Sequence, residues 1–426
     1  MKPTKVNNAP TRFASALVSG AACTLCAHAG GISLYEIATP DVGLASAGYA
    51  ARAQDASTVF RNPAGMSLLA GAQFQGGLQL TYGDVAFSKN ADDTSPSLRD
   101  DGDGGNAVGA LPAGGLFLVQ PLSDRFAVGI GALSYCGLME EFDDNWVGRY
   151  YVQKGSLLGM SLMPSVSFKA TEWLSIGAGL NAMYGYMNTE VAVRTLAPGD
   201  GQLTIKDETW GFGANVGVLV EPRKGTRFGV TYLSPVGLDF EERPTFSNLG
   251  GLGGGIFANP PQLDLGVTVP QSVMFSAYHE LNPRWALMGN VGWQNWEQFG
   301  KVDVGVDAEN PTSLSKNLKH QDTLHGAIGA QYRISDHWTL SGGAAYDSSA
   351  VDDADRTLSL PMGEAYRIGL GAHWQVSEKV NLGAAYEFLW SGDMPVVQDS
   401  NYRGRVSGSF RDSWFSFVTV DLTWKF

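Results

Sequence analysis

Fourteen segments of this chain alternate apolar residues with polar or small ones, and the links between them alternate in length. The segments lie near 70–88, 112–120, 126–136, 157–169, 173–194, 203–222, 226–240, 264–280, 284–304, 320–334, 338–348, 363–376, 379–391 and 410–426. Short links at 121–125, 170–172, 222–226, 281–283, 335–337 and 377–378 interleave with longer ones near 89–111, 137–156, 241–263, 305–319, 349–362 and 392–409. The link at 195–202 is shorter than the other loops. A side-chain period of two specifies strands, and an even number with short turns at one end and long loops at the other specifies an all-β, transmembrane antiparallel barrel of 14 strands. Convincing helical periodicity is absent after residue 70, and no segment beyond the leader reaches the roughly 18 consecutive apolar residues of a transmembrane helix.

Aromatic placement supports the same class. Phe126, Trp173, Phe228, Trp285 and Trp338 each open a strand directly after a short turn, where a ring sits at a membrane interface. The faces separate lipid from lumen. In the twelfth strand Tyr366, Ile368, Leu370, Trp374 and Val376 take the lipid parity, and Arg367, Gly369, Gly371, His373 and Gln375 face inward. The fifth and sixth strands carry inward rows rich in glycine, Gly177, Gly179 and Gly185, then Gly211, Gly213 and Gly217. Glycine weakens a strand unless another backbone approaches closely, so these rows clear room for something inside the barrel; support of sheet curvature is a compatible second reading.

The object to be held is the N-terminal stretch. Residues 43–66 are dense in Gly, Ala and Ser, lack strand alternation and end in Asn62-Pro63-Ala64-Gly65-Met66. Pro63 fixes φ and biases Asn62 toward an extended conformation. Residues 30–69 are expected to form a plug in the lumen of a barrel spanning 70–426. Ahead of it, Lys2, Lys5 and Arg12, an apolar run at 13–25 and Ala27-His28-Ala29 have the layout of a signal peptide ending at residue 29. Cys23 and Cys26 lack the Leu three residues earlier that a lipoprotein site needs. With the leader gone only Cys136 remains, which excludes an intramolecular disulfide and leaves a small hydrophobe.

Several chemistries are excluded. A net charge of -13 is the wrong sign for nucleic acid. Asp101-Gly102-Asp103-Gly104-Gly105-Asn106 opens like a calcium loop, but Gly105 and Asn106 stand where an oxygen ligand and the turn glycine belong, and no closing Glu follows. His320 and His325 are not spaced as H-E-x-x-H, and neither a nucleophile elbow nor a phosphate loop occurs. No catalytic residue, metal or cofactor is expected. The acidic pairs Asp92-Asp93, Glu140-Glu141, Asp143-Asp144 and Asp352-Asp353 read as solvated loops, with divalent bridging to lipopolysaccharide as an alternative.

Ligand preference comes from a few side chains. In the last strand Phe415 and Phe417 face inward above Thr419, Asp421, Thr423 and Lys425, unusual for a water-filled pore and suited to an apolar passenger. Phe246, Leu249, Leu252, Ile256 and Phe257 form an apolar cluster in a Gly-rich outer loop, read as a capture site or as packing on the plug or another loop. Arg367 has the parity to meet a carboxylate head group, or to pair with a barrel or plug carboxylate. The C-terminal aromatic Phe426 on an amphipathic strand is a common signal to the outer-membrane assembly machinery of Gram-negative bacteria.

These features resemble the FadL/TodX family of outer-membrane transporters for long-chain fatty acids and other hydrophobic compounds. The likeness rests on Gly43-Leu44-Ala45-Ser46-Ala47-Gly48, Asp55-Ala56-Ser57 and Asn62-Pro63-Ala64-Gly65-Met66, then Asn145-Trp146-Val147-Gly148-Arg149-Tyr150 before Met163-Pro164-Ser165. Val269-Pro270-Gln271-Ser272, Trp293-Gln294-Asn295-Trp296-Glu297-Gln298-Phe299, Tyr346-Asp347-Ser348-Ser349 and Leu360-Pro361 follow in order. The resemblance implies a hatch-closed barrel that captures ligand on apolar loops, binds it in the lumen and releases it sideways through a gap at a kinked third strand. It places Asn62, Pro63, Ala64, Gly65 and Met66 at the gate, with Gly129 and Gly131 permitting the kink. Aromatic or aliphatic hydrocarbons are alternative cargo; a hydrophilic porin would want no plug, and a membrane-embedded hydrolase would need a Ser and a His facing the same way near one rim.

Overall fold

The computed structural model describes residues 35–195, 198–250, 260–307 and 312–426, with the backbone alone for 302–317. The leader at 1–29 and the loop residues Leu252, Ile256 and Phe257 lie outside the described residues. The strands are β1 (Gln73–Lys89), β2 (Gly109–Pro121), β3 (Phe126–Glu141), β4 (Lys154–Lys169), β5 (Leu174–Val193), β6 (Gly201–Arg223), β7 (Thr226–Leu233), β8 (Val236–Glu242), β9 (Thr245–Ser247), β10 (Gln262–Val269), β11 (Ser272–Glu280), β12 (Trp285–Gln294), β13 (Lys301–Asp307), β14 (Thr312–Asn317), β15 (Thr323–Arg333), β16 (Trp338–Asp347), β17 (Ala365–Gln375), β18 (Val380–Gln398) and β19 (Val406–Lys425).

Fourteen of these strands, β1–β7, β11, β12 and β15–β19, form one antiparallel ring, closed by β1 on β19 and by β5 on β6. Closure pairs every strand with a neighbour on both sides, the condition for a sheet to span a bilayer, with one partial gap described below between β2 and β3. Outward residues such as Leu78, Leu180, Phe212, Ile328 and Ile368 are exposed as a lipid-facing band, while inward neighbours such as Ser175, Asn181 and Asn215 are buried. The five turn-flanking aromatics are all exposed on the lipid side. At the turns a hydroxyl or amide accepts from backbone N–H groups two and three residues on: Ser335 Oγ from His337 and Trp338, Asn282 Oδ1 from Arg284 and Trp285. Local side-chain acceptors of this kind fix a tight connection.

Three expected strands are interrupted. The segment 226–240 breaks between β7 and β8 at Ser234-Pro235, and 264–280 breaks between β10 and β11 at Pro270-Gln271. Proline cannot donate to the ladder, so the chain leaves the barrel there. The segment 284–304 is divided by a one-turn helix, Trp296–Phe299. Beyond the breaks the chain builds a separate four-stranded sheet, ordered β14-β13-β10-β8, and β14 occupies part of the expected loop at 305–319. One face of this outer sheet, with Val236, Leu238, Phe240, Leu263, Leu265 and Val267, is almost wholly buried.

The N-terminal segment fills the lumen. It holds two one-turn helices, α1 (Thr39–Val42) and α2 (Thr58–Arg61), then a 3-10 helix, Pro63–Leu68. Some of the inward glycines are its seats: a Cβ added at Gly177 would overlap the Pro63-Ala64 backbone, one at Gly343 the Leu44 backbone, and one at Gly369 the Val42 carbonyl. Backbone lying directly on backbone is the reason for glycine at these strand positions. Gly185, Gly211 and Gly213, expected to make room for the plug, lie instead against Leu238, Val236 and Ser234.

Candidate functional site: the plug, the β3 bulge and the apolar lumen

Asn62 ties the plug to the wall. Its side chain, almost wholly buried, donates to the Ala50 carbonyl at 2.7 Å and the Val218 carbonyl at 3.1 Å, and accepts from the Ala64 N–H at 3.1 Å. The last bond caps the 3-10 helix, which Pro63 starts with a φ already suited to it. Gly217 stands under the Asn62 amide, so any side chain there would expel it. Gly65 is closed in by Thr58 and Ala53, and the Met66 sulfur lies over Gly129. Further ties come from inward polar residues: Asn215 donates to the Val59 and Phe60 carbonyls, Asn290 accepts from the Gly48 N–H at 2.8 Å, and Ser276 accepts from the Ala50 N–H at 2.9 Å. Sequence reasoning assigned these three no role. The available signal was an isolated amide or hydroxyl at inward parity in the middle of a strand.

A buried charge quartet organises the plug itself. Asp41 pairs with Arg52 at 2.6 Å and with Arg61 at 2.7 Å, and Arg61 pairs with Asp55 at 2.8 Å. Two cations and two carboxylates balance, the condition under which such a cluster is tolerated away from water.

The ladder of the wall is interrupted at β3. The β2–β3 ladder runs from Pro121↔Ala127 to Gly115↔Leu133 and stops there. The register of β3 on β4 then shifts between Ser134 and Cys136, leaving Tyr135 as an extra residue. Across this bulge the inward parity changes, so Tyr135 and Cys136 are both buried. The next bond from β3 toward the first outer loop is Glu141 N–H to the Ala107 carbonyl. Gly129 and Gly131, expected at the kink, instead sit in the regular ladder, where they leave room for Met66 and Val59. The Tyr135 hydroxyl accepts from Asn181 at 2.8 Å and its ring packs on Phe60 of the plug, 4.8 Å between centroids. The bulge therefore touches the plug directly.

Of the two readings open to Arg367, a head-group contact or a pairing with barrel or plug carboxylates, the structure shows the second. Its guanidinium pairs with Glu36 of the plug, with Asp347 at 2.9 Å, and lies 3.9 Å from Glu387, with the Tyr35 ring 5.7 Å away. Asp347 also holds His325 at 2.7 Å. The guanidinium charge is thus already met by carboxyl groups of the plug and the barrel. Phe415 and Phe417 do face inward, but they are buried in an aromatic cluster with Phe87, Phe142, Trp146 and Phe410, away from the plug gate. Trp146 stacks on Phe142 at 3.8 Å and donates to the Val152 carbonyl, which explains Asn145-Trp146-Val147-Gly148 as the anchor of an outer loop.

On the outer side, Phe246 packs against the lumenal core from β9 and Leu249 lies over Gly201. The short link at 195–202 is fastened by Asp200, which bonds Arg149 at 2.8 Å and Tyr150 at 2.7 Å. Burial works against the Arg149 charge, but the hydrogen bonds it donates to Asp200 and Asp101 outweigh that and raise its pKa. His320, packed on Phe299, is pushed down to about 4 by burial and is neutral at pH 7. One apolar cluster runs from Leu238, Phe240, Leu263 and Leu265 of the outer sheet through Met187, Met183 and Tyr135 to Phe60 and Met66 of the plug and to Phe117 and Leu133. At the opposite end a cavity of about 240 Å³ is lined by polar groups including Gln54, Asp55, Gln331, Arg333 and His373.

A model of the family described as "Outer membrane protein transport protein (OMPP1/FadL/TodX)" matches residues 20–417. The chain belongs to this family. Outer membrane protein P1 of Haemophilus influenzae is 29% identical over 410 residues, covering 84% of this chain and 86% of that one. The long-chain fatty acid transport protein of Escherichia coli O6:H1 is 28% identical over 396 residues, covering 84% and 87%. A Pseudomonas aeruginosa FadL homologue superposes with a TM-score of 0.83 at 21% identity, covering 93% and 100%. The P. putida toluene transporter TodX does so at 0.64 and 17%, covering 90% and 99%. This FadL/TodX-family chain is thus an outer-membrane transport channel for hydrophobic compounds rather than an enzyme.

Proposed function

We propose that the protein takes up long-chain fatty acids by passive diffusion, capturing them at the outer loops and releasing them sideways into the bilayer between β2 and β3 under control of the plug. The observation that carries this reading is the single apolar cluster linking the outer sheet, the lumen, the plug and the end of the β2–β3 ladder, while the cavity at the short-turn end is polar. Each methylene kept from water is worth about 0.8 kcal/mol, so a chain of a dozen methylenes forfeits roughly 10 kcal/mol on entering the periplasm. A route from apolar lumen to bilayer avoids that cost and needs no energy source.

Fatty acid is preferred as cargo on the likeness to a long-chain fatty acid transport protein, 28% identical over 396 residues. The head group is not carried by Arg367, so recognition rests on the apolar tail and on the outer surface. Because Asp200 binds the link at 195–202 to Arg149, capture falls to the segment near Phe246 and Leu249. Native mass spectrometry of the purified protein is expected to show co-purified fatty acid. Recovery of sugars or other hydrophilic solutes, with no lipid or hydrocarbon, would overturn the reading.

A further inference from the structure

Eight of the ten methionines among the described residues are buried. Several lie directly on glycine. A Cβ built on Gly159 would stand 2.9 Å from the Met183 sulfur, one on Gly292 2.8 Å from that of Met274, and one on Gly129 2.5 Å from that of Met66. The thioether therefore occupies the volume that a side chain on the facing strand would otherwise fill. With three rotatable bonds and a polarisable sulfur, methionine fills irregular space and leaves it without movement of the backbone. A β-branched or aromatic residue in the same place would be a fixed part of the wall.

Met183 has a particular position among them. It is wholly buried on the inward face of β5, two residues from Asn181, whose amide bonds the Tyr135 hydroxyl at the β3 bulge. The Cβ position over Gly159 that meets its sulfur also lies 3.2 Å from Cys136 Cβ, the residue after the bulge. Its thioether thus fills the lumen beside the point where β3 parts from β2. Met66 fills the equivalent space one step lower, from the plug side.

We propose that Met183 is a displaceable filler of the lateral passage and sets the cross-section of the hydrophobic tail that can cross it. The inference rests on the transport reading above. An unbranched acyl chain passes when the thioether swings off Gly159, whereas a tail carrying a wide fused-ring group competes with it for the same space.

The test uses cells lacking their own fatty acid transporter, expressing the full chain, and compares uptake of hexadecanoate with that of 12-(1-pyrenyl)dodecanoate. Methylene-scale changes in an apolar passage alter discrimination by about tenfold. Met183→Ala is expected to raise the ratio of pyrenyl to plain acid by about that factor, and Met183→Ile, which is stiff at χ1, to lower it similarly. Met183→Leu should keep a folded, heat-modifiable barrel, with a ratio between those of the wild type and the isoleucine variant. Unchanged ratios in the Ala and Ile variants, with folded barrels and normal wild-type uptake, would overturn the role of Met183 alone. Failure of the wild type to take up either acid would overturn the transport reading and this inference with it.

Discussion

Asp41→Ala is expected to disorganise the plug within an intact barrel, making the protein leaky to small hydrophilic solutes and poor at hydrophobic uptake. Asp41 is wholly buried and contacts both Arg52 and Arg61; without it Arg61 keeps Asp55 and Arg52 is left with the Pro40 and Ala47 carbonyls. Removing one partner of a buried ion pair costs about 3–5 kcal/mol, because the charge left behind remains out of water. The plug has little regular structure of its own to set against that, since α1 and α2 are single turns. The barrel ladders do not pass through the plug and remain closed. Liposome swelling in a small sugar should therefore rise while the heat-modifiable mobility of the barrel is unchanged. An Asp41→Ala protein as impermeable as the wild type would show that the quartet does not hold the plug.

Asn62→Ala should separate gating from plugging. The substitution removes three hydrogen bonds and leaves the Ala50 and Val218 carbonyls buried without those donors. At about 1 kcal/mol per bond, docking of the Pro63–Leu68 helix weakens by roughly 2–3 kcal/mol, yet the charge quartet keeps the rest of the plug in place. Met66 then loses its fixed position over Gly129, next to the passage at β3. Hydrophobic uptake is expected to fall several-fold while sugar permeability stays at the wild-type level. Unchanged uptake would count against a gating role for Asn62-Pro63-Ala64.

The barrel was readable from the sequence because lipid and lumen impose opposite chemistry on alternate residues, as Ile176 and Gly177 show within one strand. The two proline breaks were readable in principle as well. The buried parity is odd through Arg227 and Thr231 and even from Val236 to Phe240, and a phase change of that kind at Ser234-Pro235 marks a new sheet. The same change occurs between Val269 and Met274. The β3 bulge has its own signature, the adjacent buried pair Tyr135-Cys136 inside an alternating strand.

Parity gave the inward direction of Arg367 and the kind of partner open to it, a barrel or plug carboxylate, but not which ones. Its partners arrive from the plug at Glu36, from the end of β16 at Asp347 and from β18 at Glu387, and no local pattern announces contacts that distant in the chain. Phe415 and Phe417 illustrate the same limit. Their inward direction followed from alternation, but the outer-loop aromatics that join their buried cluster, Phe142 and Trp146, are placed by tertiary packing.

The path itself is open to direct observation. Cells expressing the full chain can be fed a hexadecanoate carrying a diazirine near its methyl end, irradiated during uptake, and the labelled residues read by mass spectrometry of the digested protein. Lateral release predicts adducts along the apolar route, at Met183, Tyr135, Leu133 and Phe117, with the outermost on β2 and β3 where their ladder ends. Adducts concentrated instead on Gln331, Arg333 and His373, around the polar cavity at the short-turn end, would mean release into the periplasm and would contradict the account.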